Sequence, residues 1–262
     1  MKKLILVIVV ILLASIFLSA DVDLYVKRME KTAAFEMGGK KNPETVEIKE
    51  MWLGENSFVQ HSKDVSLILD GKKEKIYIII HPQKCYYEFT TDINREKLLE
   101  MIPPEAAKII SSIEITGAKV NIGGPKKQVA NWNCEGGEME MTIMVPAIGI
   151  MPKYKAKFWT TKDISFDYKK YSKAADEFFV NFILGIVKIG EDSKKELEKM
   201  EAVDGFQVAA EITLTIFGTE INIEMQVLEI EERAAPADAY SIPKGYTKKT
   251  FNFALGIQGH FM

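Results

Sequence analysis

The feature that most constrains this chain is an alternation of apolar and polar residues close to its C-terminus. The stretch FQVAAEITLTIFGTEINIEMQVLEIEE, residues 206–232, places an apolar residue at every second position on both sides of Gly218. Side chains of a β-strand return to the same face of a sheet every two residues. The stretch therefore predicts a long hairpin with one apolar face, turning at Gly218-Thr219.

The same period recurs through most of the chain. It is found in TVEIKEMW (45–52), VSLIL (65–69), KIYIII (75–80), KCYYEF (84–89) and EMEMTIMV (138–145). Asp70-Gly71 is a strong hairpin signal, and Gly38-Gly39 with Asn42-Pro43 ends a first strand predicted over about 25–37. NIGGPKK (121–127) is predicted to be a turn and not a phosphate-binding loop, because no helical pattern opens after it.

Helical periodicity appears in two places. Residues 91–113 predict two short helices separated by Pro103-Pro104, since proline suits the first turn of a helix but not its interior. A longer helix is predicted from Tyr171 to about Ile189, with an apolar stripe at helical spacing. Gly190 ends it, and Ser193 with Glu196 three residues later predicts the start of another helix through a capping box.

This order of elements predicts a mainly β fold with helices (α+β). We expect a single, highly curved antiparallel sheet, a half-barrel, wrapped over the two short helices and the long one, because the apolar helices are the part of the chain able to cover its concave face. No linker rich in Pro, Gly or Ser and no repeat of fixed period divides the chain. Residues 21–262 are therefore predicted to form one domain.

The N-terminus has the layout of a secretory signal. MKK is followed by an apolar run from Leu4 to Leu18 and by Ala20, which predicts a signal peptide over 1–20. The alternative is an uncleaved anchor, although the run is short against the ~20 apolar residues that span a bilayer. An exported protein is expected, and its formal net charge of −3 argues against a nucleic-acid surface.

Two cysteines, Cys85 and Cys134, leave two interpretations open. In an exported protein they form a possible disulfide, or they are two buried free thiols. A metal site built from His61, His81, Cys85 and Cys134 is disfavoured, because His81 and Cys85 lie in strand-like sequence without the paired spacing of structural zinc sites. No metal and no cofactor are predicted.

No catalytic constellation stands out, so no enzyme activity is predicted. Pairs such as Glu138/Glu140 alternate with apolar residues and belong to a solvated strand face. What remains is apolar and rich in methionine, which suits adaptable apolar surfaces. A plain core and a ligand cavity both account for it. The residues chosen by type and phase as cavity lining are Trp52, Met139, Met141, Ile143, Phe158 and Phe178.

Several stretches together carry a resemblance to a known family. They are YVKRMEKTAAFEMGG after the export signal, VEIKEMWLGENSFVQHS, NWNCEGGEMEM and the final VLEIEERAAPADAYSIPKGYTKK. Their order resembles the LolA/LolB-like superfamily of periplasmic lipoprotein carriers. It is most similar to an exported LolA-like domain family of uncharacterised function, whose aromatic-x-x-Pro-x-Gly-Tyr turn matches Tyr240, Pro243, Gly245 and Tyr246.

The resemblance implies a half-barrel over helices, a hydrophobic cavity, and handling of lipoproteins or other acylated ligands at the cell envelope. The leading hypothesis is an exported, non-enzymatic carrier in the periplasm or cell envelope, or secreted where no outer membrane exists. Its partner would be a lipid or a lipoprotein acyl chain, and it would contact the membrane only through an uncleaved N-terminal segment. The alternative is an envelope scaffold with a filled core that binds a partner protein and no small ligand.

Overall fold

The computed structural model describes residues 23–92, 95–100, 103–165, 167, 171 and 187–249. The predicted signal peptide over 1–20 and most of the long helix predicted over 171–189, including Phe178, lie outside the described residues. The chain is mostly β within the described part, as the period-two alternation predicts.

The described strands are β1 (Asp23–Thr32), β2 (Phe35–Met37), β3 (Lys40–Asn42), β4 (Thr45–Leu53), β5 (Ser57–His61), β6 (Val65–Asp70), β7 (Lys75–Ile80), β8 (Cys85–Thr90), β9 (Glu114–Val129), β10 (Trp132–Met144), β11 (Lys153–Thr161), β12 (Lys188–Ile189), β13 (Phe206–Ile216), β14 (Thr219–Arg233) and β15 (Thr247–Lys248). The helices are α1 (Arg95–Glu100), α2 (Pro104–Ser112) and α3 (Glu191–Glu198), with 3-10 turns at Pro146–Ile148 and Lys199–Ala202.

Thirteen of these strands form one sheet, in the order β12-β9-β10-β11-β13-β14-β1-β4-β5-β6-β7-β8-β15. Pairing is antiparallel except at the two edges, where β12 joins β9 and β15 joins β8 in parallel. The order has two ends in the part of the chain that the structure describes, so this sheet is open. Open sheets of more than about ten strands have to curl, which agrees with the predicted curvature.

The C-terminal hairpin is confirmed. β13 and β14 pair antiparallel with Leu214 opposite Ile221 and Ile212 opposite Ile223, so the apolar residues of both strands share one face. Phe217 and Gly218 turn the chain with positive φ values of 51° and 79°. The turn lies one residue earlier than predicted, because Thr219 already belongs to β14.

The two short helices are confirmed as α1 and α2, with Pro104 in the first turn of α2. The predicted end of the long helix is wrong, because Lys188 and Ile189 form strand β12 beside Glu114 and Ile115. None of the helices in the described ranges is long and apolar enough to cross a membrane.

The capping box predicted at Ser193 is also wrong. Helix α3 begins at Glu191, and Ser193 is buried inside it. The carboxylate of Glu196 instead accepts a hydrogen bond from the backbone N–H of Val120 in β9, at 3.1 Å. A tertiary contact therefore takes the side chain that a local cap would use.

The prediction of a turn at 121–127 is also wrong, because these residues belong to strand β9. The β9–β10 register shifts here, between Glu135 and Gly137. A Cβ on Gly124 would lie 2.8 Å from the carbonyl oxygen of Gly136. The glycines allow the backbones of β9 and β10 to approach closely where their pairing is irregular. In the sequence alone, the same glycines suggest a turn.

Alternation along β1 defines the two faces of the sheet. Leu24, Val26 and Arg28 lie on one side, called the cavity face, and Asp23 and Tyr25 lie on the other, called the strap face. Each face has its own buried cluster. The cavity-face cluster includes Leu24, Val26, Leu53, Phe58, Val208, Val227 and Tyr171. The strap-face cluster comprises Tyr25, Trp52, Val59, Ile68, Tyr77, Ile79 and Ala239.

The strap is the segment 234–249 that follows β14. It crosses the strap face and ends by adding β15 to the edge of β8. The predicted Pro-Gly turn lies within it: Gly245 has a φ of 83°, and the N–H of Tyr246 donates to the carbonyl of Pro243 at 3.3 Å. Tyr240 and Tyr246 both pack against the strap-face cluster.

Candidate ligand-binding site

Three of the predicted lining residues share one side of β10. Met139, Met141 and Ile143 alternate along the strand, and Met139 pairs with Val120 of β9 and Ala156 of β11. All three side chains are half-buried. Their alternation brings them together on one side of the sheet.

Phe158 of β11 lies beside them. It pairs with Gly137 and Ala210, and Ala210 in turn pairs with Met225 of β14. A Cβ on Gly137 would lie 2.3 Å from Cζ of Phe158, so the aromatic ring lies across the glycine. Met225, Ala210 and Phe158 thus form an apolar row across three strands.

Trp52 lies on the opposite face from these residues. Its ring packs against Tyr25 with centroids 4.7 Å apart, and the guanidinium of Arg233 lies 3.7 Å from the centre of the Tyr25 ring. Trp52 is 6% exposed within the strap-face cluster. Trp52 and its neighbour Met51 point to opposite sides of β4.

A cavity of about 240 Å³ opens on the cavity face where β1, β4, β13 and β14 meet. Seven apolar residues line it, together with two glutamines: Val26, Met51, Phe206, Val208, Ala209, Met225 and Val227, with Gln207 and Gln226. None of the five predicted lining residues inside the described ranges touches it. Met225 nevertheless connects it with the row that leads to Phe158.

Arg28 is the charged residue that lines this cavity. Its Nη2 donates to Oε1 of Gln60 at 3.2 Å and lies 3.9 Å from Oε2 of Glu30. Burial is the main influence on its guanidinium and lowers the pKa, which Glu30 partly opposes. Its Nε is buried and has no hydrogen-bond partner, the one side-chain nitrogen or oxygen in that condition among the described residues.

Sequence reasoning missed Arg28, although the signal was present. Leu24, Val26 and Arg28 occupy the same phase of the alternation, so a cation stands where the pattern calls for an apolar residue. A charge in the apolar phase of a strand is the kind of local conflict expected at a functional site.

On the strap face, polar side chains form a continuous chain. Nδ1 of His61 lies 2.9 Å from Oγ of Ser66, which lies 2.7 Å from Nε2 of His81. Nδ1 of His81 lies 3.0 Å from the hydroxyl of Tyr246, and Nε2 of His61 lies 3.2 Å from the carbonyl oxygen of Ala239. The chain joins the sheet to the strap at both ends.

The carbonyl oxygen of Ala239 fixes the donor and the acceptor in every bond of this hydrogen-bonded series when both imidazoles are uncharged. Since the Ala239 oxygen only accepts, His61 carries its proton on Nε2 and accepts at Nδ1 from the Ser66 hydroxyl. Ser66 then accepts from Nε2–H of His81, whose Nδ1 accepts from the hydroxyl of Tyr246. Burial is the largest influence on His61 and lowers its pKa, and the hydrogen bond to the Ala239 carbonyl is the main influence that opposes it.

A second polar contact holds the strap near its start. The hydroxyl of Tyr240 donates to Oδ1 of Asp23 at 3.1 Å, and the N–H of Ala235 donates to Oδ2 at 3.3 Å. Burial first, and then the Asp23 carboxylate, raise the pKa of Tyr240. Burial together with Glu50 raises the pKa of Tyr25 to about 12.

A serine between two histidines has the composition of a catalytic site but not its accessibility. Ser66 is 0% exposed, so no substrate carbonyl can reach its oxygen. The histidines are committed to Ser66 and the strap, and the described ranges contain no group of three or more metal-ligating side chains. This arrangement can hold the strap in place, and we assign it that role.

Cys85 and Cys134 are both buried free thiols in the structure. The Sγ of Cys85 lies 3.6 Å from the side-chain oxygen of Gln83, and the Sγ of Cys134 lies 3.5 Å from the carbonyl of Trp132. Burial raises the pKa of the Cys134 thiol. Of the two interpretations that the sequence left open, the structure has the free thiols.

No model of a protein family matches the chain, and no curated protein matches it. A crystal structure described as a "putative outer membrane lipoprotein-sorting protein domain from Vibrio parahaemolyticus" is similar over 86% of this chain and 91% of that one, with 6% sequence identity and a TM-score of 0.28. A superposition at this TM-score carries no argument about ligands or mechanism.

Proposed function

We propose that the protein is an exported, non-enzymatic binding protein of the cell envelope, formed by one LolA-like half-barrel domain over residues 21–262. It holds an acyl chain, carried by a lipid or a lipoprotein, on the cavity face of the curved sheet. The sequence resemblance supports export and the ligand class, and the observation that carries the proposal is the cavity of about 240 Å³, in which seven of the ten lining residues are apolar.

The chemistry of the cavity favours an apolar ligand. Most of its walls are aliphatic, aromatic and thioether side chains, and Arg28, Gln207 and Gln226 are the polar lining residues; a mainly apolar wall with a small number of polar groups is typical of small-molecule pockets. Each methylene group that leaves water for such a surface contributes about 0.8 kcal/mol. The row Met225, Ala210 and Phe158 extends the apolar surface toward Met139, so a chain longer than the cavity has a path to follow.

The first experiment is extraction of the purified protein with organic solvent, followed by mass spectrometry and by displacement of a fluorescent acyl probe. We expect bound lipid or displaceable probe. The variant Met225→Trp fills the cavity and should weaken probe binding. Leu228→Trp is the matched control, because Leu228 is on the same strand, is 46% exposed and does not line the cavity.

Absence of both lipid and probe binding would overturn the proposal and favour the scaffold hypothesis. Equal probe binding by Met225→Trp and Leu228→Trp would place the ligand elsewhere and would overturn this cavity as the site.

A further inference from the structure

The two histidines of the strap face share a single oxygen atom. Nδ1 of His61 and Nε2 of His81 lie 2.9 and 2.7 Å from the same Oγ of Ser66. Ser66 is fully buried, and among the described residues its Oγ has no partner other than these two rings. A hydroxyl oxygen can accept from two donors, but its own hydrogen then needs a separate acceptor. The bonds between the rings therefore depend on how many protons the rings carry.

One added proton leaves every bond of the series in place. When His61 is protonated, its Nδ1–H donates to Ser66, whose hydroxyl then donates to Nε2 of His81. His81 adopts its other tautomer and donates from Nδ1 to the hydroxyl oxygen of Tyr246, 3.0 Å away. Tyr246 is only half-buried, so its hydroxyl hydrogen can turn to water. The series runs in the reverse direction, and no polar group loses its partner.

A second added proton cannot be accommodated in the same way. Both rings would then donate to Ser66, and its hydroxyl hydrogen would be buried without an acceptor, which destabilises the docked strap. Two positive rings would also stand one oxygen atom apart, and their repulsion opposes the second charge. The influence of His81 on His61 already has this direction, because it lowers the pKa of His61.

His81 is the ring that can leave. His61 belongs to β5 and stays bound through Nε2 to the carbonyl of Ala239. His81 follows the end of β7, and its ring meets that of Tyr246 edge to face, with centroids 5.8 Å apart. When His81 turns to water, Tyr246 loses both its hydrogen bond and its ring contact. The start of the strap is held separately by Asp23, so the part affected is its end with β15.

Exposed charged residues surround the two rings without replacing these bonds. They are Glu50 of β4, Asp64 between β5 and β6, Lys84 between β7 and β8, and Asp238 of the strap. Glu50 and Asp238 favour the charged form of His61, and its burial outweighs them. Each of these side chains is open to water, which screens its charge.

We propose that the end of the strap is an acid-released latch, which the histidine pair around Ser66 holds with zero or one added proton and frees with the second. Release exposes the edge of β8 and the part of the strap-face cluster against which Tyr246 packs. The inference goes beyond the proposed function and does not depend on the ligand, because the strap and the cavity lie on opposite faces of the sheet.

Hydrogen exchange, corrected for the pH dependence of the intrinsic rate, tests the latch in the purified protein. The N–H groups of Thr247 and Lys249 donate to the carbonyls of Lys84 and Tyr86 and report the docking of β15. A histidine exposed to water titrates near pH 6.5, so at lower pH the released strap binds one proton more than the docked strap. Protection of these two amides should therefore fall about tenfold per pH unit below about pH 6, while the β13–β14 hairpin keeps its protection.

His61→Gln and His81→Gln are the decisive variants. A glutamine amide both donates and accepts, so it can replace either neutral ring, and the remaining histidine takes up its proton without loss of a bond. In each variant the protection of β15 should change less than about twofold per pH unit. Asp238→Asn is the matched control: it removes a carboxylate beside His61, keeps both histidines, and should keep the tenfold dependence.

Protection of β15 that does not change with pH in the wild-type protein would overturn the inference. A parallel loss in the hairpin would overturn it too, because it would indicate global unfolding. So would a tenfold dependence kept by either histidine variant, since one histidine would then suffice, or its loss in Asp238→Asn. Hairpin protection at pH 7.5 reports that a variant is folded, and if one histidine variant fails this check, the other decides.

Discussion

The two faces of the sheet differ in whether their buried polar groups have hydrogen-bond partners. On the strap face, both ring nitrogens of His61 and of His81 have partners, and Ser66 connects them while fully buried. On the cavity face, Arg28 has a partner at Nη2 and none at Nε. Both faces are otherwise rich in buried apolar side chains.

This difference distinguishes a buried polar network whose members all have hydrogen-bond partners from a buried donor that lacks one. A satisfied buried network fixes one arrangement of the chain, here the position of the strap against the sheet. An unsatisfied donor in a native protein calls for an explanation. Four substitutions test this comparison, beginning with the largest expected effect.

Ser66→Ala should lower the free energy of unfolding by about 2–4 kcal/mol, because Nδ1 of His61 and Nε2 of His81 both lose their buried partner. Denaturant unfolding at pH 7.5 measures it. Ser62→Ala is the matched control: its hydroxyl makes only local bonds, donating to the carbonyl of Val65 at 2.8 Å and accepting from its N–H at 3.3 Å, and it should cost about 1 kcal/mol or less. Equal losses of unfolding free energy in the two variants would show that the hydrogen bonds of Ser66 to His61 and His81 contribute no more to stability than a local bond.

Gly137→Ala should cost about 1–3 kcal/mol, because the new methyl group would displace the ring of Phe158 and overpack the cavity face. Gly117→Ala is the control, since its nearest neighbour would be Thr142 at 3.7 Å, an ordinary contact. Adding Phe158→Leu to Gly137→Ala should recover part of the loss. A double variant no more stable than the single one would show that the ring is not the cause.

Acidification should loosen the strap. The folded pKa of His61 lies below the usual 6.5, so the unfolded chain binds the proton more readily. The contribution of His61 to stability is therefore complete above pH 6.5 and is lost as the pH falls toward the folded pKa. Burial dominates this lowering of the pKa and His81 adds to it, while the hydrogen bond to Ala239, then Glu50 and Asp238, act in the opposite direction.

The measurement compares denaturant unfolding at pH 7.5 and pH 5.5 for wild-type protein and for His61→Gln. The variant should lose less stability between the two pH values than the wild-type protein. An identical change in both would mean that other groups account for the pH dependence.

Arg28→Met should change the free energy of unfolding by less than about 1 kcal/mol, because the lost bond to Gln60 is offset by removal of an unpaired buried donor. The same denaturant titration measures it. A loss above about 2 kcal/mol would make Arg28 a structural support comparable to Ser66, and the contrast between the two faces would fail.

Prediction from sequence worked where the signal was local. The hairpin of β13 and β14, the short helices α1 and α2, and the turn at Pro243–Gly245 all follow from periodicity and from the backbone preferences of proline and glycine. The phase of Met139, Met141 and Ile143 also placed them correctly on one side of β10. The signal for each of these features lies in neighbouring residues of a single strand, helix or turn.

It failed where a distant segment decides the outcome. Glu196 is a capping residue by spacing, but it binds the backbone of Val120 instead. Trp52 and Met139 are both apolar, but they lie on opposite faces of the sheet. The sequence could not show this, because alternation within one strand does not tell which of its two sides matches a given side of another strand until the strands are paired. The glycines at 123–124 predict a turn, but pairing with β10 keeps this segment in strand β9.

By itself, the sequence determined the mainly β architecture and the long hairpin, because alternation and composition are properties of the chain. Only the tertiary structure decided that the strap covers one face, that Ser66 joins two histidines 20 positions apart, and that Arg28 stands in an apolar cavity with a free Nε. The physical reason is that burial and hydrogen-bond satisfaction depend on which strands become neighbours, and that choice is made by the whole sheet.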